Sequence, residues 1–375
     1  LGTVGPATAE IVQRSGGRVS ATDTVGLLGL QQRYDGYLSG TPGLKIKATG
    51  TTGGTAVSRP LFAQDPIPGK PLSITLDLLA QEAAEEALAA SSVPATLVAI
   101  RPSTGEVVAA ANSPTAQGAL ATTGRAAPGS TFKIVSSLAL LRAGLTPDSP
   151  VQCTATTVVD GRSFKNYDDY PADRIGTISL RQALANSCNT AFISQHAAVD
   201  QSALADAAAA LGFGVDFDLG LPAFVGSIPR TATATEHAAS FIGQVKVEAS
   251  ALAMATVVAS IVKGSAVVPR IVERTADLRP TGSSSASSAG AAASASSGSV
   301  APSTDPSTAA PVPVAPTAPP APAVPLTAAE AEALRSMMSS VVTEGSGRVL
   351  ADVGVGGAKT GTAEYGADSP PQTHA

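Results

Sequence analysis

The chain has 375 residues, of which 44% are hydrophobic, so it can bury a large core, and a wholly disordered protein is excluded. The formal net charge is -5 and no block of Lys or Arg occurs, so we expect no nucleic-acid partner and a ligand that is small or peptidic. The longest mainly apolar run, around Ala251–Val262, is shorter than the roughly 20 residues that cross a bilayer.

Cysteines and histidines are few. Cys153 and Cys188 are too few for a disulfide scaffold or a zinc site, and the sequence leaves open whether they pair. The three histidines, His196, His237 and His374, show no metal-binding spacing such as HExxH. We therefore expect neither a metal centre nor a cofactor.

The first module is predicted at residues 1–70. It is small and irregular, rich in Gly and Thr, with a strand-like run at Leu44–Ala48 after a turn at Thr41-Pro42-Gly43. A second domain, 71–375, follows. Its first helix is predicted at Asp77–Leu88, with Thr75 or Asp77 as its N-cap.

The second domain continues with two strands, then helices, then a late strand. A tight turn at Pro102–Gly105 predicts a hairpin of Ala95–Arg101 and Glu106–Ala111. We predict one helix that begins at Ser130 and three more at Ile178–Ala198, Gln201–Leu211 and Glu248–Lys263. A strand is predicted at Gly356–Glu364. Strands at both ends of a helical tract indicate an α+β fold.

Residues 280–326 are almost entirely Pro, Ala, Ser, Thr, Gly and Val, with Asp305 as the one charged residue. Such a segment buries too little apolar surface to offset its ordering entropy. We predict a disordered insertion there.

Two serines are followed three residues later by a lysine. Ser260 and Lys263 lie near the end of an apolar helix, just before Gly264, where a lysine commonly lies near the last carbonyl groups. We interpret this pair as structural.

The pair Ser130 and Lys133 follows Pro128-Gly129, which breaks the chain and places Ser130 in the first turn of a helix. Unpaired N–H groups and the helix dipole favour negative charge there, which suits an attacking oxygen. Lys133 shares a face with Ser130 on an otherwise apolar helix, so we expect a desolvated lysine with a lowered pKa that can take the serine proton. Taken alone, the pair is better explained as a serine cap beside a lysine that reaches solvent.

Two further motifs change this interpretation. Ser187-Cys188-Asn189 lies inside the predicted helical tract, and Lys359-Thr360-Gly361-Thr362 lies on the predicted late strand. Ser-x-x-Lys, Ser-x-Asn and Lys-Thr-Gly, in this order, form the motif set of penicillin-interacting enzymes.

The chain resembles the class B penicillin-binding proteins, the transpeptidases of bacterial wall synthesis, over nearly all of its length outside 280–326. The resemblance rests on the three motifs and on Thr75-Leu76-Asp77 with Gln81, Thr104–Val107, Arg125–Lys133, Asn186–Phe192, Ile242-Gly243-Gln244, Leu252–Ala255 and Lys359–Ala363. Gly29-Leu30-Gln31, Tyr34-Asp35 and Leu38-Ser39-Gly40 resemble the pedestal of that family. The resemblance implies a pedestal-like module over 1–70 and a β-lactamase-like transpeptidase domain over 71–375. The expected fold of the second domain is an antiparallel sheet flanked by helices.

The three motifs contain the residues to which the resemblance assigns catalytic and binding roles. The resemblance implies Ser130 as the acylated nucleophile, Lys133 as its base, Ser187 as the proton relay to the leaving amine and Asn189 as the holder of the substrate amide. Lys359, Thr360 and Thr362 are then expected to bind the substrate carboxylate and strand, and Gly361 to permit close backbone approach. The N–H groups of Ser130 and Thr362 are expected to form the oxyanion hole.

The chain departs from the family pattern in places. Val245 follows Gln244 where the family usually has glycine, and Ala251 follows Ser250 where it usually has proline, so we expect an altered loop near the site. Cys188 between Ser187 and Asn189 is common in the family, and we interpret it as a packing residue. The chain ends at His374-Ala375, where a family member continues into further strands and a helix, so we expect the transpeptidase domain to be incomplete at this end.

The resemblance implies a D,D-transpeptidase that cross-links peptidoglycan stem peptides and is acylated by β-lactam antibiotics. A D,D-carboxypeptidase or serine β-lactamase, in which water takes the acyl group, remains an alternative, as does a non-catalytic β-lactam sensor or division scaffold. A Ser-His-Asp hydrolase and a nucleotide enzyme are disfavoured because Gly-x-Ser-x-Gly and phosphate-binding glycine motifs are missing.

Location and partners follow from the same resemblance. We expect the protein at the extracytoplasmic face of the cell membrane, with membrane contact only through a segment absent from this chain. Other cell-wall synthesis or division proteins are expected partners.

Overall fold

The computed structural model describes residues 1–273, 322–365 and 372–374, and its chain divides into two compact units. The first consists of Leu1–Ile74 with Val272 and Glu273. The second consists of Thr75–Ile271 with the described residues from 322 onward. Among the described residues, no helix is both long and apolar enough to cross a membrane.

The first unit is built from short elements and one long hairpin. Its elements are β1 (Val4–Pro6), α1 (Ala9–Arg14), β2 (Thr24–Gly26), α2 (Gly29–Arg33), α3 (Asp35–Leu38), β3 (Leu44–Thr52) and β4 (Thr55–Gln64). β1 pairs with β2 and β3 with β4, both antiparallel. Gly53 and Gly54 make the β3–β4 turn with φ of 59° and 83°, a left-handed conformation that glycine adopts without a steric penalty. The strand predicted at Leu44–Ala48 is confirmed as the start of β3.

The second unit alternates strand pairs and helices. Its helices are α4 (Leu78–Ala89), α5 (Leu120–Thr123), α6 (Lys133–Arg142), α7 (Leu180–Ala185), α8 (Asn189–Ile193), α9 (Gln201–Ala210), α10 (Ala234–Ser240), α11 (Ala251–Lys263) and α12 (Ala328–Thr343). Its strands are β5 (Thr96–Arg101), β6 (Glu106–Asn112), β7 (Pro150–Cys153), β8 (Thr156–Val159), β9 (Arg162–Lys165), β10 (Gly176–Ser179), β11 (Ala363–Tyr365) and β12 (Gln372–His374). The antiparallel pairs are β5–β6, β7–β10, β8–β9 and β11–β12.

The β5–β6 hairpin and the helix before it form as predicted. The Asp77 carboxylate accepts a hydrogen bond from the Ala80 N–H and caps α4. Residues alternate along β6 so that Val107, Ala109 and Ala111 are buried, and α4 packs on this strand through Ala84. α11 packs on the neighbouring strand β5. This confirms the α+β fold, with helices packed on an antiparallel hairpin.

The main core lies among the helices that follow the hairpin. α6 is buried along nearly its whole length and packs against α7, α9 and α12. Side chains such as Phe132, Leu138 and Leu184 are fully inaccessible there. The helix that presents Lys133 therefore has little freedom to move, which matters for the geometry of its side chain.

Two predicted elements are wrong in their extent. Ile178–Ala198 is not one helix: β10 ends at Ser179, and α7 and α8 are separated by Asn186, Ser187 and Cys188. Within the described residues, the predicted strand Gly356–Glu364 is irregular until Ala363, and β11 belongs to a different strand pair from the β5–β6 hairpin.

Most of the predicted insertion, 280–321, lies outside the described residues. Its last five residues, 322–326, are described, and Leu326 is buried in the main core. Arg142 binds the carbonyls of Val324 and Pro325 and the Glu330 carboxylate. These contacts belong to folded chain, so the predicted boundary at Leu326 lies too late in the sequence.

Candidate active site

Ser130 and Lys133 are aligned by a 3₁₀ turn, Gly129–Phe132, that leads directly into α6. Side chains three residues apart eclipse each other in a 3₁₀ helix, so the two side chains meet. Lys133 Nζ lies 3.0 Å from Ser130 Oγ. Gly129 lets the turn form with a φ of 53°, and its N–H donates to the Gly243 carbonyl. The side chain of Ser130 is half-buried at the edge of the site.

The Lys133 side chain is 0% exposed, which confirms the expected desolvation. Burial holds its pKa well below the ordinary value of 10.5, and the positive charge of Lys359 lowers the pKa further. The neutral amine is therefore much easier to form here than on a surface lysine.

The contacts of Lys133 Nζ also determine where its lone pair points. Besides Ser130 Oγ, the amine meets the Ser187 carbonyl at 2.8 Å, Ser187 Oγ at 3.1 Å and Asn189 Oδ1 at 2.6 Å. The carbonyl and the amide oxygen can only accept hydrogen bonds, so they occupy both N–H groups of a neutral amine. The lone pair is left for a hydroxyl proton, from Ser130 or from Ser187.

Ser187 stands at the break between α7 and α8, with a φ of 58°. A non-glycine residue in this left-handed region stores strain, and such residues occur where surrounding contacts hold them. The Cys188 sulfur accepts from the Ala191 N–H at the start of α8, and a disulfide joins Cys188 to Cys153. The pairing that the sequence left open is thus settled, and a loop across a sequence separation of 35 is closed. In the chain-entropy model, a closed loop of this size stabilises the fold by about 4 kcal/mol.

The Lys-Thr-Gly segment approaches from the other side of Ser187. Lys359 Nζ donates to Ser187 Oγ at 3.0 Å and to the Thr360 carbonyl at 2.7 Å. Although the residue as a whole is partly exposed, burial of its ammonium group lowers the Lys359 pKa to about 7. A Cβ on Gly361 would come within 2.6 Å of Thr131 Cγ2, so only glycine lets this segment lie so close to the Ser130 turn.

Thr360 and Thr362 are exposed beside these groups, and the Thr360 hydroxyl contacts Ser346 Oγ at 2.8 Å. The site residues predicted from the three motifs thus lie in one place, with Ser187 between the two lysines. Among the described residues, no three His, Cys, Asp or Glu side chains are grouped as metal ligands.

The second Ser-x-x-Lys pair has a different environment. Ser260 is fully buried, and its hydroxyl donates to a backbone carbonyl of Leu211 or Thr256 and accepts from the Val267 N–H. Lys263 is exposed in the last turn of α11, which ends at Gly264 with a φ of 83°. The interpretation of this pair as structural is confirmed.

Two residues at the site were missed by sequence reasoning. Asn166 and the backbone carbonyl of Lys165 bind Asn189 from the end of β9. Neither belongs to a motif, and a backbone carbonyl leaves no trace in a sequence. An Asn directly after a short strand is the one available signal, and it is more typical of a turn.

The loop that the sequence indicates as altered contains a strained residue. Val245 has a φ of 66°, and its side chain is 48% exposed. A β-branched residue is a steric outlier in this conformation.

We expect Val245→Gly to raise the free energy of unfolding by about 1 kcal/mol, because glycine relieves the strain and little buried surface is lost. Urea unfolding measures the change. Asp160→Gly is the matched control: Asp160 has a φ of 48°, but aspartate tolerates this region, so its gain should be smaller. A loss of stability in Val245→Gly would show that the Val245 side chain contributes more than its backbone strain costs.

Comparison with known proteins agrees with this geometry. Residues 95–375 match the penicillin binding protein transpeptidase domain, and residues 1–74 match the penicillin-binding protein dimerisation domain. The chain belongs to the penicillin-binding protein transpeptidase family. The resemblance to class B penicillin-binding proteins is thereby confirmed, together with the transpeptidase fold.

Individual relatives are more distant. Peptidoglycan D,D-transpeptidase PbpA of Mycobacterium tuberculosis is 34% identical over 145 residues, a match that covers 36% of this chain and 28% of that protein. The crystal structure of Pseudomonas aeruginosa PBP2 in complex with WCK 5153 superposes with a TM-score of 0.68 at 22% identity, covering 96% of this chain and 77% of the other. A ceftriaxone acyl-enzyme complex of M. tuberculosis penicillin-binding protein A gives 0.64 at 23% identity, with 82% and 70% covered. The curated match thus spans less than a third of PbpA, and the two structural likenesses concern the fold.

Proposed function

We propose that the protein is a peptidoglycan D,D-transpeptidase that works through an acyl-enzyme on Ser130. The observation that carries the proposal is the contact of Lys133 Nζ with Ser130 Oγ at 3.0 Å, with a buried amine as the base. Two similar proteins support the same chemistry. PbpA is named a peptidoglycan D,D-transpeptidase, and the structurally similar penicillin-binding protein A forms an acyl-enzyme with ceftriaxone.

In the first half-reaction, Ser130 Oγ attacks the carbonyl carbon between the two terminal D-alanines of a stem peptide, and its proton passes to Lys133 Nζ. The N–H groups of Ser130 and Thr362 stabilise the oxyanion. As the C–N bond breaks, Ser187 Oγ passes a proton to the leaving D-alanine nitrogen and regains one from Lys133. The distance of 3.1 Å between Ser187 Oγ and Lys133 Nζ supports this relay role.

In the second half-reaction, an amine of a neighbouring stem peptide attacks the Ser130 ester. Its proton passes through the same groups, and Ser130 leaves as the hydroxyl. Asn189 holds the donor peptide amide. During the first half-reaction, Lys359, Thr360 and Thr362 bind the donor strand and the carboxylate of its terminal D-alanine, which departs with the leaving group. Gly361 allows the backbone of this segment to come close.

The experiment that tests this function follows the fate of the acyl group. The full-length protein is incubated with labelled penicillin, and intact mass and the labelled peptide are recorded over time. We expect one adduct, on the peptide with Ser130, that is released slowly. Rapid release would support the β-lactamase alternative, and no adduct would support a non-catalytic scaffold.

A second measurement separates transpeptidation from hydrolysis. A stem peptide that ends in D-Ala-D-Ala is supplied together with an amine acceptor. We expect a cross-linked product. A shortened peptide with no cross-link would identify a D,D-carboxypeptidase instead.

The location and further partners belong to the same proposal. Peptidoglycan lies outside the cytoplasmic membrane, so the site acts at the extracytoplasmic face, and β-lactam antibiotics compete there with stem peptides. Other cell-wall synthesis proteins are its expected partners.

A further inference from the structure

Asn166 connects two segments at the base of the candidate active site. Its side chain is 6% exposed, and its Oδ1 accepts hydrogen bonds from the N–H groups of Asn189, at 2.8 Å, and Thr190, at 3.2 Å. Its Nδ2 donates to the Thr154 carbonyl at 3.0 Å. The same carbonyl accepts from the Thr190 hydroxyl at 2.8 Å. One buried amide thus accepts hydrogen bonds from the first N–H groups of α8 and connects this helix to the segment after β7.

The residue before Asn166 fixes the side chain of Asn189. The Asn189 Nδ2 group donates to the Lys165 carbonyl at 2.9 Å, which leaves Asn189 Oδ1 to face Lys133 Nζ at 2.6 Å. If the amide were reversed, its NH₂ group would face the amine and its oxygen would face a carbonyl. Residues 165 and 166 therefore set both the backbone position and the side-chain orientation of Asn189.

This orientation bears on the proton transfer. With Asn189 Oδ1 and the Ser187 carbonyl as acceptors, both N–H groups of neutral Lys133 are occupied, and its lone pair is directed at the hydroxyls. The left-handed conformation of Ser187, with a φ of 58°, also needs support from outside its own turn. Asn166 provides that support two and three residues further along, at the N–H groups of Asn189 and Thr190.

We propose that Asn166 is a positioning residue for acylation, acting through Asn189 and Ser187 on Lys133. The inference rests on the proposed acyl-enzyme function of Ser130. Asn166 does not touch the reacting atoms. Its contribution is to hold Ser187 and Asn189 where they orient the base.

The test compares Asn166→Ala with Asn166→Asp, which keeps an oxygen for the two N–H groups and loses the donor to Thr154. The first-order acylation rate constant and the dissociation constant of the noncovalent penicillin complex are measured separately. We expect Asn166→Ala to lower the rate constant about 10²-fold, as a displacement of about 1 Å does, with a smaller change in the dissociation constant. Asn166→Asp should recover most of the rate.

The matched control is Asn112→Ala. The Asn112 side chain makes contacts of the same kind at another helix: Oδ1 accepts from the Ala121 N–H in α5, and Nδ2 donates to the Gly118 carbonyl. Its loss should leave the acylation rate constant unchanged. A wild-type rate constant in Asn166→Ala, or an equal loss in Asn112→Ala, would overturn the proposal.

Hydrogen exchange separates this inference from the proposed function. In Asn166→Ala, the amides of Asn189 and Thr190 should exchange faster, while those in α9 stay protected. If the wild-type chain is not acylated, the proposed function fails. The role of Asn166 in holding Asn189 and Thr190 is tested separately: it is overturned if these two amides exchange at the same rate in Asn166→Ala as in the wild type. If Asn166→Ala does not melt cooperatively, Asn166→Asp decides: near-wild-type acylation supports the role of the acceptor, and a 10²-fold loss contradicts it.

Discussion

Ser130→Ala is expected to abolish acylation by labelled penicillin, with a loss of at least about 10³-fold in the second-order rate constant. The Ser130 hydroxyl lies 3.0 Å from the buried amine of Lys133, and the same amine contacts Ser187 Oγ, which in turn contacts Lys359 Nζ. Alanine removes the atom that would carry the ester. The half-buried position of Ser130 makes the substitution mild for folding.

Ser260→Ala is the matched control, since Ser260 has the same sequence spacing to a lysine but lies sealed in the core. It should be acylated at the wild-type rate per folded molecule. Its stability should fall by about 1–3 kcal/mol, because the Val267 N–H loses its buried acceptor. Gel fluorescence with a thermal melt measures both effects. Equal labelling of Ser130→Ala and wild type would place the acylated group elsewhere.

The sequence predicted the parts of this site that depend on local spacing. The Pro128-Gly129 break and the apolar residues after Lys133 placed a serine and a lysine on one helix face, and the two later motifs then favoured a desolvated lysine over one that reaches solvent. A turn with α6 behind it provides that arrangement. The hairpin of β5 and β6 was equally clear, because a turn sequence separated two strand-like runs. Local signals of this kind do not depend on what packs against them.

What the sequence could not predict depends on distant contacts. The tract 178–198 has the composition of a helix, but the helix breaks at Ser187 with a φ of 58°. The break is held by a disulfide to Cys153 and by the Asn166 amide, and both partners come from another part of the chain. Tertiary contacts override local helix propensity here.

The last prediction concerns the base. Lys133→Arg keeps the positive charge, but a guanidinium group cannot be deprotonated in a protein, so we expect the acylation rate constant to fall by about 10²- to 10⁴-fold, the range that general base catalysis supplies. Lys263→Arg, at the exposed lysine of the second pair, should change nothing. Lys133→Met covers the case in which the larger arginine unfolds the buried site, because methionine fills similar space without a charge and should show the same loss.

The pH dependence gives this prediction a direction. Lys133 acts as a base only when neutral, so acylation rises as pH increases through its pKa. Burial and the Lys359 charge lower that pKa well below 10.5, so the rise should occur at a lower pH than for an ordinary lysine. Binding of an anionic penicillin should weaken as Lys359 loses its charge above about pH 7, the value to which burial lowers its pKa. The rising limb should vanish in Lys133→Arg and Lys133→Met. If either folded variant keeps that limb and a near-wild-type rate constant, the base is a different group.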